Sequence, residues 1–552
     1  MKLKREKLIL EAFEYIGYSP RDNQMEIIDQ VVSEYIDNNK QNVILTASTG
    51  FGKSITAAAI AKTLSLIEEN ELSAVYLSST NGLVNQYAES FDKLDPIKFF
   101  RVKGAANYKC EYFNRLGNSE ITAEDCVKAE LSDIEIQNYC SGCKYIEAQG
   151  LVNRTDNLIT NYAYFMISKL SSDRMAPRNL TVFDEMHLLN DTYCSFVSIE
   201  ISVDLIDRLC KDLNRLNNKL DNEAAELVLF KQNILLKKID NNNYLTKIKE
   251  LMKIYSKVST GCKNQAALIT DIMGKLKFRK VMLRFDRLSK LIGDFLSNQY
   301  EHVFDNTVKD AIHIKPIFIR DMMDKLLGRY NLFMTATMSP NFAKITMGLN
   351  PSDTAFITAP DVFPAENKPI FFLGKENLNY QKMQNAATFV EMGSVIKYIV
   401  EHHKNDKGLL LVPSFYVGKT LAGKIPKSCK VFEHIQGTNV NEIVKDFKKY
   451  KGSAILISPS IFEGLDFSND ESRFQILCKA PFASLGDPRV AKIANEYGDI
   501  YREITLYKII QGLGRSIRSK DDTAVSYFCD KTIETLFNSK LNLWKDRFKI
   551  MN

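Results

Sequence analysis

Short apolar runs alternate with longer amphipathic stretches over the first 192 residues. The runs are mainly aliphatic, and polar residues follow each of them. This pattern is typical of a parallel sheet, whose strands are buried on both faces and whose loops gather at the carboxyl ends of the strands. The predicted strands are residues 43–45, 74–77, 157–159 and 180–183. We therefore predict a first α/β domain with functional side chains at the carboxyl ends of its strands.

The pattern changes after residue 192. Residues 178–315 contain no proline, although the chain has 14, and only three glycines. Two sets of apolar residues in this stretch recur at alternating spacings of three and four, as in the seams of packed helices. These sets are Ile206, Leu209, Leu213, Leu216 and Leu220, and Val281, Phe285, Leu288, Ile292 and Phe295. We predict a helical insertion over residues 193–325, with a turn at residues 240–243.

Short apolar runs return near residue 332 and continue towards the C-terminus. Helical stretches separate most of them, which predicts a second doubly wound α/β domain. A predicted strand at residues 332–334 precedes this domain, whose own predicted strands are residues 370–373, 409–412, 454–457, 474–477 and 524–528.

Length and composition are those of a globular protein with more than one domain. The chain has 552 residues, of which 45% are hydrophobic and 25% charged. Its net charge of +6 permits a polyanionic partner without requiring one. We expect neither a signal peptide nor a membrane span, because no apolar core follows the N-terminal residues and no apolar run is long enough. Ten cysteines in such a chain indicate a reducing compartment.

Residues 47–54 form a phosphate-binding loop of the P-loop type, with alanine in place of the first glycine. The loop follows a predicted strand and precedes a predicted helix, as the motif requires. Backbone N–H groups would hold the phosphates of ATP, Lys53 would reach the β- and γ-phosphates, and Ser54 would bind Mg²⁺. The predicted ATP-binding residues of the loop are Ala47, Ser48, Thr49, Gly50, Phe51, Gly52, Lys53 and Ser54.

An acidic box, Asp184-Glu185-Met186-His187, follows the last predicted strand of the first region. Asp184 would hold the metal ion, directly or through water, and Glu185 would orient or deprotonate the attacking water. A carboxylate pair at a strand end can also cap a helix. The P-loop upstream favours nucleotide hydrolysis over capping.

A possible arginine-finger motif lies in the second region, where Gln511, Arg515 and Arg518 are spaced by four and three residues. A helix would present all three on one face, and two arginines suit contact with a γ-phosphate. Such a face is more often a solvated surface when it occurs alone. The preceding sequence Phe-Glu-Gly-Leu-Asp at residues 462–466 strengthens the nucleotide interpretation, and we predict that Gly464 and Asp466 also bind ATP.

Four cysteines lie between the P-loop and the acidic box with the spacing C-x15-C-x13-C-x2-C: Cys110, Cys126, Cys140 and Cys143. Thiolates bind iron–sulfur clusters and zinc alike, so the spacing leaves both open. A disulfide is disfavoured in a reducing compartment. Residues 110–144 carry seven acidic and three basic side chains, so contact with DNA there would depend on individual residues such as Arg115 and nearby aromatic side chains.

The order of these motifs resembles that of XPD/DinG-type superfamily-2 DNA helicases over almost the whole chain. Residues 18–24 resemble the Q motif, with Gln24 as the reader of adenine. Residues 335–337 and 412–414 resemble motifs III and IV. The resemblance implies DNA contacts by Thr80, Gln86 and Ser414. It implies catalytic roles for Lys53, Asp184, Glu185, His187, Gln511, Arg515 and Arg518.

The resemblance also implies the architecture: two RecA-like P-loop domains, with a small iron–sulfur insertion and a helical Arch insertion in the first. Helicase domain 1 would comprise residues 1–108, 145–192 and 326–345. The iron–sulfur domain would be residues 109–144, the Arch 193–325 and helicase domain 2 residues 346–552. The four cysteines would hold a [4Fe–4S] cluster.

The expected function is that of an ATP-dependent DNA helicase that moves 5′→3′ on single-stranded DNA and unwinds duplexes or forks. We expect a monomeric motor in the cytoplasm of a bacterium or of a phage-infected host, with no membrane partner. Three alternatives remain: a translocase that displaces proteins without separating strands, a DExH RNA helicase, and a non-motor scaffold with a degenerate ATPase. The cysteine insertion argues against an RNA helicase, and the intact Lys53, Glu185 and Arg515 argue against a scaffold.

Overall fold

The computed structural model describes residues 2–48, 50–79, 81–91, 99–115, 120–125, 133–172, 175–216, 220–270, 272–298, 300–459, 467, 469–517 and 521–551. The helices of this part are α1 (Lys2–Tyr15), α2 (Gln24–Ile36), α3 (Lys53–Ile67), α4 (Asn81–Phe91), α5 (Glu111–Arg115), α6 (Asp133–Cys140), α7 (Lys144–Val152), α8 (Tyr162–Ile167), α9 (Leu189–Val197), α10 (Val203–Asn214), α11 (Asp221–Leu235), α12 (Tyr244–Ala266), α13 (Ile272–Asn298), α14 (Pro340–Met347), α15 (Ala386–His402), α16 (Phe415–Ala422), α17 (Val440–Lys449), α18 (Pro488–Glu496), α19 (Gly498–Leu513) and α20 (Lys531–Ser539).

The strands are β1 (Asn42–Thr46), β2 (Ala74–Ser78), β3 (Phe100–Arg101), β4 (Asn157–Asn161), β5 (Leu180–Asp184), β6 (Ile199–Ser202), β7 (His302–Asp305), β8 (Ala311–Pro316), β9 (Tyr330–Thr335), β10 (Thr354–Thr358), β11 (Pro369–Phe372), β12 (Lys407–Leu411), β13 (Lys430–Glu433), β14 (Ala454–Ser458), β15 (Phe474–Leu477), β16 (Val525–Phe528) and β17 (Lys549–Met551). Every strand run predicted from the sequence overlaps one of these strands.

The first sheet is parallel and, within the described residues, has the strand order β10-β1-β9-β5-β2-β4-β3. Successive residues of β1 face different cores. Val43 and Leu45 join the cluster that contains the buried residues of α1–α3, whereas Ile44 joins the cluster on the opposite face. Burial on both faces explains the continuous apolar runs in the sequence.

The second sheet is also parallel, with the order β13-β14-β12-β15-β16-β11-β17 in the described part of the chain. Two apolar clusters cover its faces, as expected of a doubly wound α/β domain. The structure therefore confirms two parallel-sheet α/β domains.

The first domain extends further along the chain than the boundary predicted from the sequence. Strand β10 pairs in parallel with β1, from Asn42 opposite Thr354 to Thr46 opposite Thr358. The first sheet therefore includes residues up to 358, beyond the expected boundary at residue 345. The sequence division missed this strand because its burial is mixed and its apolar pattern is weak.

The insertion predicted over residues 193–325 contains helices α10–α13 together with an antiparallel sheet ordered β6-β8-β7. The predicted turn at residues 240–243 separates α11 from α12. The first predicted seam is not one helix, because α10 ends at Asn214, although Leu216 and Leu220 are buried like the rest. None of the helices described in the structure combines the length and apolar character needed to cross a membrane.

Candidate active site

Three neighbouring strands bring the predicted nucleotide motifs to one edge of the first sheet. Strand β9 lies between β1 and β5, with Thr46 opposite Thr335 and Asp184 opposite Met334. Because all three strands are parallel, the P-loop, the acidic box and the segment after β9 emerge side by side. This edge, at the carboxyl ends of the strands, is where doubly wound sheets bind ligands.

The P-loop conformation depends on two glycines. Gly50 and Gly52 have φ angles of 90° and 87°, which strain other residues. A side chain at Gly50 would lie 2.6 Å from the ring of Phe363. Gly52 immediately precedes α3, so the helix N-terminus and the amine of Lys53 face the same site. Lys53 Nζ donates to the carbonyl oxygen of Ala47 over 3.3 Å.

Gln24 holds the P-loop from behind. Its side chain is 1% exposed, and its Nε2 donates to Phe51 O at 3.0 Å and to Thr56 Oγ1 at 3.1 Å. Its Oε1 accepts from Arg21 N at 2.9 Å, and Arg21 Nη1 in turn donates to Gly50 O at 3.1 Å. The sequence predicts that Gln24 reads adenine. In the structure, Gln24 would have to give up its hydrogen bonds to the P-loop before its amide could bind adenine.

Asp184 is a buried carboxylate at the end of β5, with 6% of its surface exposed. Burial and the neighbouring Glu185 raise its pKa to about 7, whereas the Lys53 cation and a hydrogen bond from Tyr87 act in the opposite direction. Its Oδ1 has no hydrogen-bond partner among the described residues. An oxygen left open beside a phosphate-binding lysine fits a Mg²⁺ ligand. Glu185 has a φ of 52°, an uncommon conformation that is found at functional sites.

His187 connects the acidic box with two other elements. Its Nδ1 lies 3.2 Å from Thr335 Oγ1 and 3.3 Å from Glu185 Oε2. Its Nε2 lies 2.7 Å from the amide nitrogen of Gln511 on α19. A neutral ring with its proton on Nδ1 satisfies these contacts, because Nε2 then accepts from Gln511. The histidine therefore joins the acidic box of the first domain to the second domain.

The two domains enclose a cleft of about 680 Å³. Helix α19 ends at Leu513 and a short 3₁₀ segment follows, so Gln511 and Arg515 do not share one continuous helix as predicted. Both nevertheless line the cleft. The predicted residues found together in its lining are Ser48, Gly50, Gly52, Lys53, Ser54, Asp184, Glu185, His187, Gln511 and Arg515.

Several residues of the cleft have no counterpart in the predicted motifs. Asp361 pairs with Lys368 at 2.8 Å, and Arg547 Nη1 donates to Thr337 Oγ1 at 2.7 Å. Phe363 packs over Gly50, and Tyr87 of α4 hydrogen-bonds to Asp184. Asp361, Phe363, Lys368 and Arg547 lie in segments without a local motif, so only the strand pairing that gathers these segments could have identified them.

Comparison with known proteins gives two family matches. A family described as "Helicase C-terminal domain" matches residues 396–545, and one described as "Type III restriction enzyme, res subunit" matches residues 17–200. The ATP-dependent DNA helicase YoaA of Haemophilus influenzae is 21% identical, over 94% of this chain and 92% of its own length. CHL1 of Debaryomyces hansenii, also an ATP-dependent DNA helicase, is 21% identical over 76% of this chain and 62% of its own.

The 3′-5′ exonuclease DinG of Staphylococcus saprophyticus is 23% identical over 44% of this chain, which spans only 28% of that relative. Among solved structures, Xpd4 of S. tokodaii aligns with 96% of this chain at a TM-score of 0.61 and 14% identity. A second XPD helicase structure aligns with 97% at a TM-score of 0.63 and 14% identity. At these identities the structural likeness shows the fold.

Similarity to these proteins along nearly the whole chain supports the resemblance to XPD/DinG-type superfamily-2 helicases. Some predicted site residues of this helicase lie outside the described residues: Thr49, Thr80, Cys126, Gly464, Asp466 and Arg518. Gln86 lies on α4. Ser414 caps α16, and its hydroxyl accepts from Val417 N at 3.3 Å. The DNA contacts expected of Thr80, Gln86 and Ser414 stay predictions.

Three of the four clustered cysteines of the helicase are described, and all three are partly exposed: Cys110, Cys140 and Cys143. Cys140 ends α6, and Cys143 precedes α7. The two ends of the insertion meet, because Lys144 pairs with Glu111 at 3.3 Å and the rings of Tyr108 and Tyr145 lie 5.5 Å apart. Residues adjacent to Cys143 thus contact a residue adjacent to Cys110.

No three His, Cys, Asp or Glu side chains within the described residues are grouped as ligands of one metal ion. The predicted fourth ligand, Cys126, is outside that part of the chain. Cys194, by contrast, is a buried structural cysteine, and burial raises its pKa to about 12. The partly exposed thiols of the insertion have the donor chemistry that an iron–sulfur cluster requires.

Proposed function

We propose that this protein is an ATP-dependent DNA helicase that couples ATP hydrolysis to movement along single-stranded DNA and to strand separation. One observation carries the proposal. The cleft places Lys53 and Glu185 of the first domain opposite Gln511 and Arg515 of the second. A nucleotide in such a cleft is contacted from both domains, so its hydrolysis changes how the domains are held together.

The side chains of the cleft divide the chemistry between them. Lys53 binds the β- and γ-phosphates, and Glu185 orients and deprotonates the attacking water. Arg515 stabilises the charge that develops on the transferred phosphoryl group. Mg²⁺, held by Ser54 and Asp184, would neutralise the phosphate oxygens.

His187 provides the link to movement. Its ring contacts Glu185 and Thr335 in the first domain and Gln511 in the second. A change at Glu185 during hydrolysis therefore alters the position of His187, and with it the contact between His187 and Gln511 of the second domain. The resemblance implies that the resulting steps run 5′→3′.

The helical insertion supports a nucleic-acid partner. Helices α12 and α13 together contain twelve basic and three acidic residues, a larger positive excess than the +6 of the whole chain. The rest of the protein is therefore slightly acidic. Concentrated positive charge of this kind binds phosphate backbones independently of sequence. The relatives YoaA and CHL1 are named as ATP-dependent DNA helicases, which supports DNA as that partner.

The cysteine insertion is proposed to hold a [4Fe–4S] cluster through Cys110, Cys126, Cys140 and Cys143. Bound there, the cluster would stiffen a small domain that has little apolar core of its own. The described core of the insertion consists of Phe113, Ile121 and a contact with Leu276 of α13. The insertion is thus also tied to the helical insertion, which would form the Arch. We further propose that the protein acts as a cytoplasmic monomer.

ATP hydrolysis measured with and without nucleic acid, beside strand displacement on matched duplexes, tests the proposed function. We expect single-stranded DNA to stimulate hydrolysis and a tailed DNA duplex to be unwound. Stimulation without unwinding would instead establish a translocase. Stronger stimulation by RNA than by DNA would establish an RNA helicase, and no hydrolysis would leave a scaffold.

A further inference from the structure

The C-terminal segment of the chain reaches the nucleotide cleft, although in the sequence it lies outside the motifs that predict this site. Strand β17 pairs in parallel with β11 at the edge of the second sheet. Trp544 is 1% exposed, and its Nε1 donates to Phe537 O at 2.7 Å. Between these two anchors, Arg547 and Phe548 line the same cleft as Lys53. The position of Arg547 is therefore set by the fold on both sides.

Arg547 is a half-buried guanidinium without a paired carboxylate. Its Nη1 donates to Thr337 Oγ1 at 2.7 Å, and it forms no ion pair with any acidic side chain of the described residues. Asp361 is the acidic group whose charge acts on it, and Asp361 is already paired with Lys368 at 2.8 Å. Burial lowers the pKa of Arg547, as expected when a cation loses water without gaining an anion.

An uncompensated buried charge is costly, and proteins usually provide it with a counter-ion. The cleft that contains Arg547 is built to hold a triphosphate. A guanidinium has five N–H donors, and Thr337 uses one of them, so a fork remains for phosphate oxygens. A phosphate of the bound nucleotide supplies the missing anion.

We infer that Arg547 binds a phosphate of the nucleoside triphosphate while it holds Thr337. This inference rests on the proposed function of the cleft and adds a phosphate-binding residue outside the recognised motifs. Arg547 belongs to the second domain, and Thr337 follows β9 of the first. The nucleotide, the segment after β9 and the C-terminal segment are thereby joined at one side chain.

The simpler alternative is that Arg547 only positions Thr337. The two roles predict different results for Thr337→Val, which removes the hydroxyl acceptor and keeps the size of the side chain. If Arg547 binds phosphate, Thr337→Val retains nucleotide affinity and Arg547→Ala loses it. If Arg547 is only structural, the two variants weaken binding equally.

The test measures the dissociation constants of a non-hydrolysable ATP analogue and of inorganic tripolyphosphate, both with Mg²⁺ and without DNA. We expect Arg547→Ala to raise both constants about tenfold or more, the usual effect of losing a charge-assisted hydrogen bond. Arg547→Lys retains the charge without the fork and should give an intermediate value. Lys545→Ala, which removes an exposed cation from the same segment, is the matched control and should bind normally.

Trp544 is the only tryptophan of the chain, so its fluorescence reports whether the C-terminal segment stays seated. If Arg547→Ala shifts the Trp544 emission, the C-terminal segment has moved in that variant. The comparison of Arg547→Lys with Thr337→Val then takes its place as the test of the inference. Equal losses in those two variants, or wild-type affinity in Arg547→Lys and Arg547→Ala, would overturn the inference. Lys53→Ala is measured alongside: if it loses affinity while the Arg547 variants do not, the nucleotide site stands and only the role of Arg547 fails.

Discussion

Several single residues of this protein do two things at once. His187 contacts a catalytic carboxylate and the second domain, and Gln24 supports the loop that carries Lys53. Sequence motifs identified these residues because their chemistry is local to short segments. The motifs could not show that the amide of Gln24 is occupied by Phe51 and Thr56, since those partners lie 27 and 32 residues away.

Lys53→Ala should abolish ATP hydrolysis while the fold is retained. The amine faces the phosphate site, where it donates to Ala47 O over 3.3 Å and its charge acts on Asp184. We expect turnover to fall by at least about 100-fold, as for other removals of a charge-stabilising group. Unimpaired turnover, with a normal melting curve, would refute the assignment of the phosphate site.

His187→Ala and Gln511→Ala should not have additive effects on DNA-stimulated ATPase activity. Each variant alone breaks the 2.7 Å contact between the domains, so the double variant has nothing more to lose there. We expect a coupling energy of about 1 kcal/mol or more between the two substitutions. Strict additivity in this double-mutant cycle would show that the contact is not used during turnover.

Asp184→Asn should stabilise the metal-free protein while it abolishes hydrolysis. Burial raises the pKa of Asp184 to about 7, so the folded protein prefers the protonated carboxyl and loses stability as the pH rises through that value. Asparagine stays neutral throughout. In EDTA, the gain in melting temperature over wild type should therefore be small near pH ~4 and about 2 °C or more near pH ~8. An equal gain at both pH values would contradict the burial argument.

Among the elements, helix α19 connects the two domains. Glu503, Tyr507 and Gln511 lie four residues apart on one face. Ser339 donates to Glu503 Oε2 at 2.6 Å, and Tyr507 OH accepts from Ser339 N at 2.9 Å. The helix therefore runs along the segment after β9 and ends next to His187. The sequence indicated the Gln511 end of this face but gave no signal for the buried Glu503.

Glu503→Ala should destabilise the protein by about 3 kcal/mol, because it removes a fully buried carboxylate and leaves Lys540, paired at 2.8 Å, without its partner. Glu503→Gln retains one acceptor oxygen and the size of the side chain, and should lose less. Glu496→Ala breaks only the exposed pair with Lys492 and should change stability by less than about 1 kcal/mol. Similar unfolding midpoints for Glu503→Ala and Glu496→Ala in urea would contradict this role of α19.

At the scale of the whole molecule, the order of elements along the chain could be predicted because both sheets are parallel and buried on both faces. Continuous apolar runs marked their strands. The antiparallel sheet of β6, β7 and β8 was missed. Strands β7 and β8 were missed although they are neighbours in the sequence. Strand β6 pairs with β8 more than 100 residues later, so no local pattern marks that pairing. For the same reason the sequence did not place Arg547 in the cleft: pairing of β17 with β11 brings it there.

Cys140→Ser should weaken unwinding more than ATPase activity. The cysteine insertion lies outside the nucleotide cleft, and through Leu276 and an ion pair between Arg287 and Glu124 it contacts the helical insertion. We expect the iron and sulfide content to fall and strand displacement to be lost, with substantial hydrolysis retained. Cys210→Ser, which changes a half-buried cysteine of α10, is the matched control. Equal loss of both activities would indicate general misfolding.

ATP hydrolysis in this cleft is proposed to drive the separation of DNA strands. The most direct measurement is fluorescence-detected displacement of a labelled strand from a DNA duplex with a 5′ single-stranded tail, using wild type and Lys53→Ala. We predict displacement that requires ATP and is absent in Lys53→Ala. Hydrolysis stimulated by single-stranded DNA without any displacement, on this duplex and on its 3′-tailed counterpart, would contradict the account.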